Sequence, residues 1–167
     1  MQQGNAVNHN HVQHTFKIIV IGSEGCGKTS LLRKFASNTF SPNCLPTIGI
    51  DFLTSTFVCP AQENAMIKLH IWDSSGNDRF SSLVPNYLRD SHVCLICFDL
   101  TSLESYNAVF QLYLPTLKQS YGDNVIIIVV GCKNDLAKQR QISFKDVKSC
   151  TKKMSIPYIE TSAKCGT

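Results

Sequence analysis

Residues 22–29 read GSEGCGKT, and the spacing G-x-x-x-x-G-K-[ST] is that of a loop built to hold phosphates. An apolar run, FKIIVI (16–21), precedes it. The segment it opens, KTSLLRKFASN (28–38), carries Leu31, Leu32 and Phe35 on one helical face. Strand, glycine loop and helix in that order are the setting the motif needs. Backbone N–H groups of Gly25 to Thr29 then cradle phosphates at a helix N-terminus, helped by the helix dipole. In such a loop Lys28 reaches the terminal phosphates and the Thr29 hydroxyl ligates Mg²⁺. The bland alternative is a glycine-rich turn without a ligand, and spacing and setting together argue against it. The odd residue is Glu24, a carboxylate placed close to where a nucleotide's negative charge sits.

The rest of the chain bounds what this loop belongs to. Its 167 residues suit one domain with a substantial core, and 43% hydrophobic with 17% charged residues excludes a disordered or fibrous chain. A net charge of +4 fits an anion-binding protein but is too mild to argue for nucleic acid or a membrane surface. No run is apolar enough to span a bilayer, and MQQGNAVNHNHVQHTF lacks the apolar core of a signal peptide. Residues 1–15 read as a disordered polar tail in which His9, His11 and His14 are solvated rather than metal-binding. Of eight cysteines, Cys94 and Cys97 form a C-x-x-C, but residues three apart on a strand face opposite ways. Buried free thiols in a reducing cytosol are the expectation.

IDFLTSTFVC (50–59) and AMIKLHIW (65–72) read as two strands joined by a short polar turn, an antiparallel hairpin. HVCLICFDL (92–100) and NVIIIVV (124–130) are continuous apolar runs, as in strands covered on both faces. Between them Leu103, Tyr106, Val109, Phe110, Tyr113, Leu114 and Leu117 recur at helical spacing, with Pro115 predicted to kink or locally break the helix. Ser143 and Asp146 resemble a capping pair before a helix bearing Val147, Cys150 and Met154, and IPYI (156–159) is a last strand. Strands alternating with helices predict an α/β fold, a mostly parallel sheet with ligand loops at the strands' carboxyl ends.

WDSSGNDRF (72–80) supplies a second phosphate-facing loop: Asp73 at a strand end to hold Mg²⁺ through water, and Gly76 to let backbone approach a γ-phosphate. GSEGCGKTSLL, PTIGIDF, KLHIWDSSGNDRF, CFDLT, GCKNDL and ETSAK then occur in the order and spacing of small Ras-like GTPases, and the chain resembles that family from about Phe16 to Lys164. IGIDF and KLHIWD look most like its Rab branch. The resemblance implies a P-loop NTPase fold: a six-stranded, mostly parallel sheet with one antiparallel strand and helices on both faces. It implies a G domain over 16–167 in which the family's last helix and prenylated cysteines are missing, so that either this sequence is a fragment or the protein works without the usual anchor. Cys165 fits no C-a-a-X pattern, so membrane attachment is expected only through a lipidated tail past residue 167.

The resemblance also implies roles. GTP or GDP with Mg²⁺ would lie against Glu24, Gly25, Cys26, Gly27, Lys28, Thr29 and Ser30. Phe40 would pack on guanine, and Thr47 would bind Mg²⁺ and γ-phosphate, with Thr29 and Asp73 completing the metal set. Asp135 would select guanine through N1 and N2, the Lys133 stem would lie along the base, and Ser162, Ala163 and Lys164 would form the loop whose Ala163 N–H meets O6. Phe52, Trp72 and Tyr87 fall at the places of the Rab aromatic triad that couples the switches to effector surfaces; simple core packing of Phe52 and Trp72 is the alternative, and both can hold at once. Effectors would engage 41–52 and 73–89, alongside an exchange factor and an activating protein. No nucleic-acid partner is expected. The expected location is the cytoplasm, including the cytosolic face of endomembranes.

Three residues depart from the family around the nucleotide. Asn77 replaces the glutamine that orients the attacking water, which implies slow hydrolysis. Glu24 replaces a small residue, and it either repels phosphate and blocks an incoming arginine or swings outward to pair with a cation. Cys132 replaces the asparagine of N-K-x-D, and a thiol is a weak donor and acceptor. Two functions therefore stay open: a Rab-like switch with Lys28, Gly76 and Asn77 as its catalytic groups, and a nucleotide-binding scaffold with negligible turnover. An ATPase is disfavoured by Asp135 and the SAK loop.

Overall fold

A computed structural model describes residues 13–60, 65–76, 88–122 and 124–167. The strand–loop–helix unit is as the sequence predicts: β1 (Gln13–Gly22) runs into the glycine loop, and α1 (Lys28–Ser37) follows. β2 (Ile50–Cys59) and β3 (Ala65–Ser74) form the antiparallel hairpin, in register from Ile50↔Ser74 to Cys59↔Ala65. β4 (Val93–Asp99), β5 (Ile126–Cys132) and β6 (Tyr158–Glu160) complete a six-stranded sheet ordered β2-β3-β1-β4-β5-β6, in which only β2 is antiparallel. β1 lies between β3 and β4, so successive crossovers leave it on opposite sides. The crevice this opens at its carboxyl end is where α/β sheets bind ligands, and GSEGCGKT sits there.

Alternation along the strands splits the core between two faces. Ile19, Ile21, Cys94, Ile96, Phe98 and Val129 face one way, where Val109, Leu114, Leu117 and Val147 pack on them. Val20, Ile71, Cys97, Val130 and Cys132 face the other, against Leu32 of α1. Cys94 and Cys97 thus lie on opposite faces, and every cysteine in the described residues is a free thiol.

Three expectations need correction. β1 begins at Gln13, three residues inside the expected tail, because the long β3 offers partners for them: Gln13, His14 and Thr15 pair with Met66, Ile67 and Lys68. His14 is therefore a strand residue, and the rest of the expected tail, His9 and His11 included, lies outside the described residues. Pro115, by contrast, breaks the helix locally, as the sequence predicts. α2 (Leu103–Ala108) passes into a π-helical turn (Val109–Tyr113), and α3 (Leu114–Tyr121) restarts with the proline in its first turn. The wider turn accommodates a residue that has no N–H to donate and whose ring crowds the carbonyl four residues earlier. Phe35 is 53% exposed, so Leu32 alone of the predicted face is buried. Ser143 occupies the N-cap of α4 (Phe144–Lys153) without a side-chain cap bond, although Asp146 still places its charge in the favourable first turn.

Candidate functional site

One cavity of about 740 Å³ opens at the carboxyl ends of the strands. Its wall includes Glu24, Gly25, Gly27, Lys28, Thr29 and Ser30 at one end and Lys133, Asp135, Ala163 and Lys164 at the other, with Phe40 and Thr47 at its mouth. The sequence-predicted residues are thus brought together, with three qualifications. The Cys26 side chain turns away into the sheet core, 1% exposed. Asp73 and Ser162 stand behind the cavity wall, 3% and 2% exposed. Asn77 and Tyr87 lie outside the described residues.

At the phosphate-loop end, Gly27 takes φ 111°, a left-handed conformation that favours glycine, and hands the chain to α1. Lys28 is 5% exposed, and its Nζ donates to the carbonyls of Gly22 at 2.7 Å and Ser23 at 2.9 Å, folding the ammonium back over the loop. Gly76 reaches the loop from the end of β3, and a Cβ there would stand 2.3 Å from the Glu24 nitrogen. Only glycine permits that approach. The Glu24 side chain is exposed and makes no ion pair with another described residue.

Three oxygens converge beside the loop. The Thr29 hydroxyl donates to Asp73 Oδ2 at 2.5 Å and lies 2.7 Å from the Thr47 hydroxyl. Asp73 Oδ1 is buried with no hydrogen-bond partner among the described residues. Burial pushes the Asp73 carboxyl above its usual range, opposed by the Thr29 hydroxyl and by the charge of Lys28. An oxygen-only set with an orphaned carboxylate oxygen fits a small hard cation such as Mg²⁺.

The base-loop end is differently built. The Ser162 hydroxyl donates to Asp135 Oδ1 at 2.7 Å and accepts from the Cys165 N–H at 3.0 Å, which fixes the aspartate's direction. Asn134 N–H donates to the Thr161 carbonyl at 3.0 Å, joining the two loops. Behind them Arg140 grips Glu160 with both terminal nitrogens and meets Asn134 Oδ1 at 3.4 Å, while the Tyr158 hydroxyl donates to Glu160 at 2.6 Å. Burial works against the Glu160 charge, yet the Arg140 and Tyr158 hydrogen bonds outweigh it and hold the carboxyl below its usual range.

Cys132 is 3% exposed among the buried thiols of Cys26 and Cys97. Interaction between the neighbouring Cys97 and Cys132 thiols holds Cys132 below its usual range and, with burial, pushes Cys97 up; burial lifts Cys26 to about 12. The Thr161 hydroxyl is buried against this sulfur with no oxygen or nitrogen partner among the described residues. Sequence reasoning missed two features here: the Arg140–Glu160–Tyr158 network and an ion pair between Lys133 and Asp99. The only signal for the latter was a carboxylate ending an otherwise apolar strand, in CFDLT.

Residues 17–167 match the Ras family. The chain therefore belongs to that family of small GTPases, nucleotide-operated switches that bind GTP and GDP, typically with Mg²⁺, and engage effectors, exchange factors and activating proteins. No helix among the described residues is long and apolar enough to cross a membrane.

Proposed function

We propose that this protein is a Rab-type member of the family, a GTP/GDP switch in vesicle trafficking whose intrinsic hydrolysis is slow. The observation that carries the nucleotide assignment is the single cavity walled at one end by Gly25–Thr29 and at the other by Lys133, Asp135 and Ala163. Phosphates would lie in the glycine loop under the N-terminus of α1, and guanine would lie between Phe40 and the Lys133 stem, read by Asp135. Thr29, Thr47 and Asp73 would hold Mg²⁺, which when bound neutralises charge on the terminal phosphates. Support for the Rab branch is the Phe52–Trp72 contact on the hairpin, with ring centroids 4.9 Å apart. The hairpin and the 41–52 segment would form the effector surface.

Turnover would rest on Lys28 and the loop N–H groups, which stabilise developing charge, and on Gly76, which brings backbone beside the loop. Asn77 would position water poorly. Its side chain is one methylene shorter than glutamine, a deficit of about 1.5 Å, and misplacement on that scale costs on the order of 10²-fold. Single-turnover GTP hydrolysis by Asn77→Gln should accelerate by up to that factor; an unchanged rate refutes the argument about reach. The competing reading, a scaffold without useful turnover, draws on Glu24, which stands exposed at the loop and pairs with no cation among the described residues. GTP that survives long incubation on the purified protein selects the scaffold, and conversion to GDP selects the switch.

A further inference from the structure

The lysine expected to support the base is itself held by a second residue. Lys133 Nζ lies 2.6 Å from Asp99 Oδ2, and the Asp99 side chain is only 11% exposed. Asp99 is not free to turn: its Oδ1 accepts from the Thr101 N–H and from the Thr101 hydroxyl, both at 2.7 Å. Its own N–H donates to Ser105 Oγ at 3.0 Å, so the carboxylate stands on a rigid strand end and a helix start. The lysine backbone is equally constrained. Lys133 adopts φ 63°, a left-handed conformation rare for a non-glycine residue, and its carbonyl accepts from the Leu136 N–H at 3.0 Å. With both ends fixed, the stem runs past the phosphate loop: a Cβ on Gly27 would lie 4.0 Å from Lys133 Cε and 3.4 Å from Cys132 Cβ.

We infer that Asp99 is a positioning residue for nucleotide retention, stretching Lys133 across the junction of the phosphate and base loops that Cys132 leaves weakly tied. The physical reason lies in what surrounds that junction. A thiol at 132 offers neither an amide donor nor a strong acceptor, and the Thr161 hydroxyl beside it has no oxygen or nitrogen partner among the described residues. The Lys133–Asp99 pair ties the base loop to the end of β4, and the lysine stem it stretches passes the phosphate loop at Gly27. A charge-assisted bond to a largely buried, pre-oriented carboxylate outlasts the solvent competition that weakens surface pairs. Asp99 acts on the ligand only through Lys133.

This inference rests on the guanine-nucleotide reading, and the experiment separates the two. The full chain is loaded with fluorescently labelled GDP in Mg²⁺, and its dissociation rate is followed for wild type, Asp99→Asn, Lys133→Gln and the double variant. Asp99→Asn should release GDP about tenfold faster, and the double variant should be no faster than Lys133→Gln alone, because the two residues act as one unit. Adding Cys132→Asn should shrink the Asp99→Asn effect by supplying the missing link. Should Asp99→Asn fold poorly, Thr101→Val, which keeps the carboxylate but loosens it, should speed release about threefold. Unchanged release in Asp99→Asn, or effects of Asp99 and Lys133 that simply add, overturns the inference while leaving nucleotide binding intact. Failure of the wild-type chain to take up labelled GDP overturns the GTPase reading and this inference with it.

Discussion

The two ends of the cavity follow different rules. At the phosphate end every residue the glycine-loop spacing demands is present, though Glu24 and Asn77 replace the family's residues beside it; Lys28 bonds to the loop carbonyls, Thr29 meets Thr47 and Asp73 within hydrogen-bond distance, and Gly76 lies in steric contact with Glu24. At the base end one motif residue is replaced, a buried hydroxyl has no oxygen or nitrogen partner among the described residues, and the ion pairs Lys133–Asp99 and Arg140–Glu160 hold the loops. A phosphate loop depends on backbone geometry, which tolerates few substitutions. A base loop is an arrangement of side chains, and side-chain ties can be rebuilt from neighbouring residues.

The largest expected effect breaks the conforming end. Lys28→Ala removes the buried ammonium folded over the loop, and losing charge-assisted bonds to phosphate should weaken GDP binding by about 10²-fold or more. Titration with labelled GDP measures it, and affinity within a factor of a few of wild type would remove Lys28 from the site. The next effect sharpens the contrast by repairing the substituted end. Cys132→Asn gives the Thr161 hydroxyl an amide partner, and one recovered hydrogen bond should slow GDP release about tenfold. Faster release in that variant would mean the thiol cluster has adapted to sulfur and the amide does not fit.

How much of this was legible in the sequence follows the same division. The sheet, its one antiparallel strand and the phosphate loop could be read because backbone periodicity and glycine spacing are local. The π turn before Pro115 could not, since a proline within a helical pattern dictates a disruption without dictating its form. The strand at Gln13–Thr15 was hidden by its polar composition, and only pairing with β3 reveals it. At the site, Asp135 and Ser162 were legible as motif members, whereas Asp99 and Arg140 were not. Their partners are 34 and 20 residues away, and single-sequence spacing carries no record of such pairings.

The smallest expected effect probes the brace behind the base loop. Glu160 has its pKa depressed in the folded chain, so its contribution to stability is present above the unfolded value near 4.5 and is lost as pH falls through the lower folded value. Thermal unfolding of wild type should therefore show a midpoint declining below about pH 4.5, and Glu160→Gln should flatten that decline while lowering the midpoint by a few degrees at pH 7. An identical acid profile in the variant would show that Arg140 and Tyr158 do not stabilise the carboxylate form.

The account stands on guanine nucleotide occupying the whole cavity, phosphates at the conforming end and base at the substituted one. The most direct measurement is displacement of labelled GDP from the full chain in Mg²⁺ by unlabelled GDP, GTP and ATP. GDP and GTP should compete at similar concentrations, and ATP should need about 10³-fold more, because it leaves the Asp135 carboxylate without its guanine donors. Displacement by ATP as readily as by GTP would contradict guanine recognition at Asp135, and absence of labelled-GDP binding at micromolar concentration would contradict the account as a whole.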